Sequence, residues 1–282
     1  GEYLQLQRKE NESPPPPVEH NYLILGDGVP ALLLMNWHCG LFDRSSHPDD
    51  NYFMLTNLIT TDSKHLRITL KPPVNTSFVN YRFRNIEGLF DTTFKAPNNF
   101  TMQIEHSAGE GYLYQFAPVV QYGGRLLYSE ATQPGMILED DMTIENGAVL
   151  TINGVYSSKG NIIVKSGTII NGSDGKIQFA EGKKLIIEGS GSITGTVNSK
   201  LELEFSEPIN DDPTGILIKA NSSLTISNCK IESATIGVNS LLNANYLYAQ
   251  NVEFINCETH SISIAGRSPG MNPTPPPANH QL

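Results

Sequence analysis

The chain is poor in cysteine, tryptophan, charge and long apolar runs, and each shortage excludes something. Three Cys among 282 residues (Cys39, Cys229 and Cys257) are too few and too scattered for a disulfide framework. One bridge between Cys229 and Cys257 is compatible with their spacing. Three buried thiols acting as small hydrophobes is the plainer reading. Charged residues make up only 17%, and 19 basic against 29 acidic side chains give a net charge of −10 with no basic run. Nucleic-acid binding, which needs clustered Lys and Arg to release counterions, is therefore not expected. The apolar stretch Val29 to Met35 is interrupted by Pro30 and falls far short of the ~20 residues of a membrane span. Gly1 is followed by no basic and apolar leader of the signal-peptide kind. Low charge with 39% hydrophobic residues also argues against disorder.

What is present is β-strand texture between two proline-rich ends. Pro14-Pro15-Pro16-Pro17 makes residues 1–20 an expected extended linker, because proline fixes φ and donates no N–H. Residues 267–282, with five prolines, are expected to be a matching tail, so the chain reads as a segment of a longer architecture. From residue 21 to 130 short β-rich runs recur: Ala31–Asn36, Tyr52–Leu58, Leu66–Leu70, Tyr81–Arg84, Thr101–Glu105 and Tyr112–Phe116. Leu66-Arg67-Ile68-Thr69-Leu70 alternates apolar and polar, as a strand with one wet face does. Runs spaced like hairpin neighbours predict an antiparallel β-sandwich.

From about residue 131 to 266 the texture changes. Aromatics thin out, and short Ile/Leu/Val strands alternate with Gly, Asn and Ser. The segment Leu224-Thr-Ile-Ser-Asn228-Cys-Lys-Ile231 matches Leu247-Tyr-Ala-Gln-Asn251-Val-Glu-Phe254. Leu224 falls on Leu247, Asn228 on Asn251 and Ile231 on Phe254. A repeat of this length, with two or three short strands, is one coil of a parallel β-solenoid. Asn at a repeated corner tolerates the left-handed backbone and shares amide hydrogen bonds with its copy. The fold class expected is thus all-β, a sandwich followed by a right-handed parallel β-helix.

Two likenesses carry further expectations. The stretch from Leu138-Glu-Asp-Asp-Met-Thr-Ile144 through Gly147-Ala-Val-Leu-Thr-Ile152, with the later Leu-x-x-x-Asn coils, resembles the right-handed parallel β-helix modules of secreted bacterial surface proteins. Asp50-Asn-Tyr-Phe-Met-Leu-Thr-Asn57 and Ala108-Gly-Glu-Gly-Tyr-Leu-Tyr114 resemble the accessory β-sandwich that follows the catalytic barrel in some glycoside hydrolases. The first likeness implies a secreted or cell-surface location. The second implies an accessory role, with any catalytic domain upstream of this chain.

Catalytic chemistry finds little support. Asp140-Asp141 and Asp211-Asp212 are adjacent acid pairs, but the Gly-His-Gly and Arg-Ile-Lys tracts of polygalacturonase-like enzymes are missing. Lyase chemistry would need an Arg among the coils, and Arg267, the only Arg beyond Arg125, lies in the tail. Asn210, Asp211, Asp212 and Glu207 lack the spacing of a calcium loop and read as a turn. Trp37-His38-Cys39 with Asp43 and His47 lacks paired zinc spacing and reads as a strand end with a packed Trp and a buried thiol. Gly189-Ser-Gly191-Ser-Ile-Thr-Gly195 has no following Lys or helix to hold phosphate and reads as a solenoid turn. The sequons at Asn11, Asn75, Asn99, Asn171 and Asn221 carry little weight in an Asn-rich chain. No cofactor or metal is called for.

Tyr246 and Tyr248, two apart in a strand, project from one face and are the candidates for stacking on sugar rings. The expected function is a non-catalytic structural or adhesive segment of a secreted or surface protein, associated with polysaccharide or with other surface proteins. The alternatives are an accessory part of a carbohydrate-active enzyme and a self-associating filament subunit with open β-edges.

Overall fold

A computed structural model of the chain describes residues 2–5, 18–19, 22–26, 37–43, 50–73, 76–206 and 213–265. The expected strand Ala31–Asn36, the proline run at 14–17, the tail at 267–282, and His47, Glu207, Asn210, Asp211 and Asp212 lie outside the described residues. The chain forms two compact units, Gly1–Pro118 and Val119–Leu282.

The first unit is a pair of antiparallel sheets, one of six strands and one of four. In the larger sheet Asn51–Asn57 lies between Trp37–Asp43 and Gly111–Pro118, and Asn80–Asn85 pairs with the other edge of Gly111–Pro118. In the smaller sheet Lys64–Leu70 pairs with Leu23–Leu25 and with Phe100–His106. Alternation decides which side chains face inward: Phe53 and Leu55 from one sheet and Leu66, Ile68 and Leu70 from the other enter a single buried core. Aromatic rings bridge the two sheets, with Phe94 stacked on Phe116 at 5.7 Å and on Phe100 at 4.8 Å.

Part of the expected N-terminal linker is strand. Glu2–Gln5 pairs with Trp37–Asp43, and Val18–Glu19 pairs with Leu23–Leu25. The prolines fall between these two pieces. Both therefore keep the N–H groups that an edge strand needs.

A buried histidine sits in this unit. His106 is fully buried beside Trp37, with ring centroids 4.9 Å apart, and its Nε2 lies 2.6 Å from the Tyr114 hydroxyl. Burial pushes its pKa below the ordinary value, against the weaker opposing pull of the Glu110 carbonyl.

The second unit is a parallel β-solenoid of about six turns. Each coil turns through three short strand segments. Met142–Ile144, 162–164, 184–187 and Gly215–Ile218 stack along one face, and 148–152, 166–170, 190–194 and 223–227 along the next. The third face stacks 155–158, 176–179, Leu201–Phe205 and 229–232. Parallel register puts like on like in the interior. Leu150, Ile169, Ile193 and Ile226 form one buried column, and Tyr156, Ile177, Leu203 and Ile231 another. Phe179 stacks flat on Phe205 at 4.7 Å and 5°.

The two ends of the stack differ. The one-turn helix Val119–Tyr122 buries Val119, Val120 and Tyr122 over the first coil, and the Tyr156 hydroxyl donates to the Val120 carbonyl at 2.6 Å. At the other end Leu247, Phe254 and Ile262 are only half-buried, and Ile264 is 62% exposed.

That contrast grades the cost of deletions. Ile231→Ala should lower stability by about 2–5 kcal/mol, read from the urea midpoint. Phe254→Ala, one coil on, should cost less than half of the about 3–5 kcal/mol expected for a fully buried Phe. In the sandwich, the unfolded chain takes up a proton at His106 near pH 6.5 while the folded chain resists it. Stability should therefore fall as the pH drops through that value, and stop falling once folded His106 protonates. Thermal melts across this range should show a smaller loss in His106→Gln.

Candidate functional site

The three solenoid faces carry different chemistry on their outward positions. On the third face, Lys176, Glu202, Lys230 and Glu253 stand in one column and alternate in sign. Lys176 reaches Glu204 at 3.0 Å, Lys230 reaches Glu232 at 2.9 Å, and Lys200 reaches Glu253 at 2.6 Å. A hydrogen bond from Gln178, helped by Lys176, holds the Glu204 carboxyl below its usual range. On the first face the outward column is Ile163, Ile186 and Leu217, all half-buried. At its border Glu145 accepts from Arg125 at 2.6 Å, which holds that carboxyl low, and Lys219 pairs with Glu188.

The middle face is different. Outward columns there run Ser166, Ser190, Ser223 and Tyr246; then Thr168, Ser192, Thr225 and Tyr248; then Ile170, Thr194, Ser227 and Gln250. None of these positions is charged. Ser166 and Ser190 are exposed, and Thr168, Ser192, Thr194, Thr225 and Ser227 are half-buried, while Ser223 is only 6% exposed. The cause is alternation. In Ser190-Gly-Ser-Ile-Thr194 and Ser223-Leu-Thr-Ile-Ser227 every second residue points into the core, so the hydroxyl residues all point out. Neighbouring hydroxyls touch only loosely, Ser192 with Thr194 at 3.4 Å and Ser227 with Thr194 at 3.5 Å.

Tyr246 and Tyr248 form the last rung of two of these columns. Tyr246 is 50% exposed and Tyr248 half-buried, its hydroxyl 3.4 Å from Gln250. The structure thus places the two tyrosines at the end of a hydroxyl array that the sequence reading missed. Its signal was present in Ser166-Gly-Thr168, Ser190-Gly-Ser192 and Ser223-Leu-Thr225, once those segments are set in register.

The glycine-rich segment expected as a turn is part of this array. Residues 189–194 belong to the strand Lys184–Thr194. A Cβ on Gly189 would lie 2.0 Å from the Lys165 carbonyl oxygen, so glycine there admits the neighbouring coil rather than opening a loop.

The remaining sequence candidates resolve into structural roles. Leu224 pairs with Leu247 and Ile231 with Phe254 in parallel register, 23 residues apart. Asn228 and Asn251 both adopt left-handed backbone (φ 52° and 51°), and the Asn251 amide donates to Asn228 Oδ1 at 2.8 Å. The Asp141 carboxylate accepts from the Asn161 backbone N–H at 2.7 Å, and Asn161 Oδ1 in turn accepts from the Lys184 N–H. Asp140 Oδ1 accepts from the Asp141 N–H at 2.8 Å, so the two acids cap a corner. Trp37 and Cys39 point into the sandwich core while His38, between them, points out, so thiol and imidazole are held apart. Burial pushes the thiols of Cys39 and Cys229 up to about 12, which keeps them protonated and unreactive. All three cysteines are free, so the Cys229–Cys257 bridge is not formed. Among the described residues no group of three His, Cys, Asp or Glu gathers to hold a metal ion.

No family model, curated protein or solved structure matches the chain.

The left-handed corner gives a direct test. Asn228→Ala should cost about 1–2 kcal/mol, because a Cβ without the amide's local hydrogen bonding is strained there. Asn228→Gly should recover most of the loss, with both read by urea denaturation.

Proposed function

We propose that the chain is a non-catalytic, adhesive segment of a secreted or cell-surface protein, and that the uncharged hydroxyl face of its solenoid associates with polysaccharide. One observation carries this reading: outward Ser and Thr hydroxyls lie in register over successive coils and end on the exposed ring of Tyr246 beside Tyr248. Sugars present what such a face complements. Their hydroxyls exchange hydrogen bonds with Ser and Thr, and their C–H faces cover aromatic rings. The outward columns of this face carry no charge, and on the other two faces acids and bases are largely paired with each other across coils. Those ion pairs keep neighbouring coils in line and leave the middle face neutral.

The likeness of the coils to β-helix modules of secreted bacterial surface proteins agrees with this role. So does the likeness of the sandwich to an accessory domain of glycoside hydrolases. A filament built through both solenoid ends is the weaker reading, because a helix covers the first coil.

The test is a pull-down of the full chain on insoluble plant, bacterial and host polysaccharides, with Tyr246→Ala/Tyr248→Ala alongside. Retention of the native chain, reduced about fivefold or more in the double variant, is expected from the loss of about 1–3 kcal/mol of ring contact. Failure of the native chain to bind any of these glycans would remove the polysaccharide role.

A further inference from the structure

The hydroxyl face differs from a sugar pocket in shape, and the difference narrows its ligand. Its positions lie on one continuous parallel sheet, about 4.8 Å apart from coil to coil and roughly 6.6 Å apart along each strand. Backbone pairing sets both repeats, as in Thr168↔Ser192↔Thr225 and Ile170↔Thr194↔Ser227. The face is therefore rigid before any ligand arrives, and its short Ser and Thr side chains have little freedom left to lose.

Energetics then weigh against an isolated sugar. An exposed hydroxyl is already satisfied by water, and exchanging water for a ligand gains only about 0.5–1.5 kcal/mol. Association itself costs about 4–15 kcal/mol. A small sugar touching two or three hydroxyls on an open sheet does not cover that cost. A flexible chain touching more must first lose its own conformational freedom. A ligand that is already an ordered solid loses almost none, and it meets many hydroxyls at once.

We infer that this face recognises neutral polysaccharide in an ordered solid form, such as the surface of a crystalline fibre, in preference to single chains in solution. The inference rests on the polysaccharide reading above and adds the physical state of the ligand. Neutrality follows from the columns, which hold no Lys, Arg, Asp or Glu, so binding is insensitive to salt. The tyrosine rung separates solid polysaccharide from ice. Water in a lattice has hydrogen-bonding groups but no C–H faces for the rings of Tyr246 and Tyr248 to cover.

The experiment compares retention of the full chain on crystalline cellulose and crystalline chitin, on the same polymers swollen to the amorphous state, and competition by soluble oligosaccharides, each at low and high salt. At least about tenfold greater retention on a crystalline form is expected, unchanged by salt and poorly competed by soluble fragments. Thr168→Ala/Ser192→Ala/Thr225→Ala, whose outward side chains leave the core intact, should lose that preference while keeping the native circular dichroism spectrum. Lys176→Ala/Lys230→Ala, on the ion-paired face, should keep it. Equal retention on amorphous polymer, or full competition by oligosaccharides, would overturn the preference for ordered ligand and leave the polysaccharide role standing. Binding to no glycan overturns both, and so does partition into growing ice without glycan binding.

Discussion

Backbone hydrogen bonding between successive coils is the interaction on which the solenoid depends. Each strand segment finds its N–H and C=O partners in the coil before and the coil after, in parallel register. Residues at equivalent positions are thereby forced into columns about 4.8 Å apart. Everything that follows is a consequence of columns. Apolar residues must stack in the interior, which explains Ile169 over Ile193 and Phe179 over Phe205. Like charges that stack repel, which favours the alternation of Lys176, Glu202, Lys230 and Glu253, while the stacked Glu204 and Glu232 are each held by a lysine. Ser and Thr impose no such restriction, so one face can repeat them coil after coil.

The same constraint assigns work to corners. A chain that turns between faces at every coil needs residues that accept left-handed backbone and that leave no amide unpaired. Asn meets both needs, and Asn228 with Asn251 shows how. Asp141 and Asn161 solve the second problem differently, taking backbone N–H groups of the following coil on their side-chain oxygens. Asp141, half of a pair that looks catalytic in the sequence, is thus spent on holding the coil spacing. The sandwich obeys another logic. Its strands pair antiparallel, its core is aromatic, and His106 finds its partner, Tyr114, within the unit.

Division of labour among the solenoid faces follows from these rules. Ion pairs lie across coils at the rims, where a Lys–Glu contact in water adds only about 0–1 kcal/mol but favours correct register over a slipped one. Hydroxyls occupy the face between them, free of competing charge. The tyrosines at its last rung join a face that is otherwise polar to rings with apolar area. This gives the array two kinds of contact within one rigid surface.

Much of this was legible in the amino-acid order alone. Alternation such as Leu66 to Leu70 marked the sandwich strands, and the Leu224–Ile231 and Leu247–Phe254 match marked the coil, because period-2 patterns and repeats are local properties that survive without tertiary information. Composition likewise disfavoured nucleic acid and a membrane helix. What the order of residues left undecided was register between coils that are not identical in length. Ser166, Ser190 and Ser223 share a column only because backbone pairing aligns segments separated by unequal stretches of chain. For the same reason the Gly189–Gly195 segment looked like a turn until a neighbouring coil was seen to pass within 2.0 Å of where a side chain would stand. Local patterning determined which residues face in or out. Only the folded stack decided which of them stand side by side, because lateral neighbours are chosen by hydrogen bonds between segments far apart in the chain.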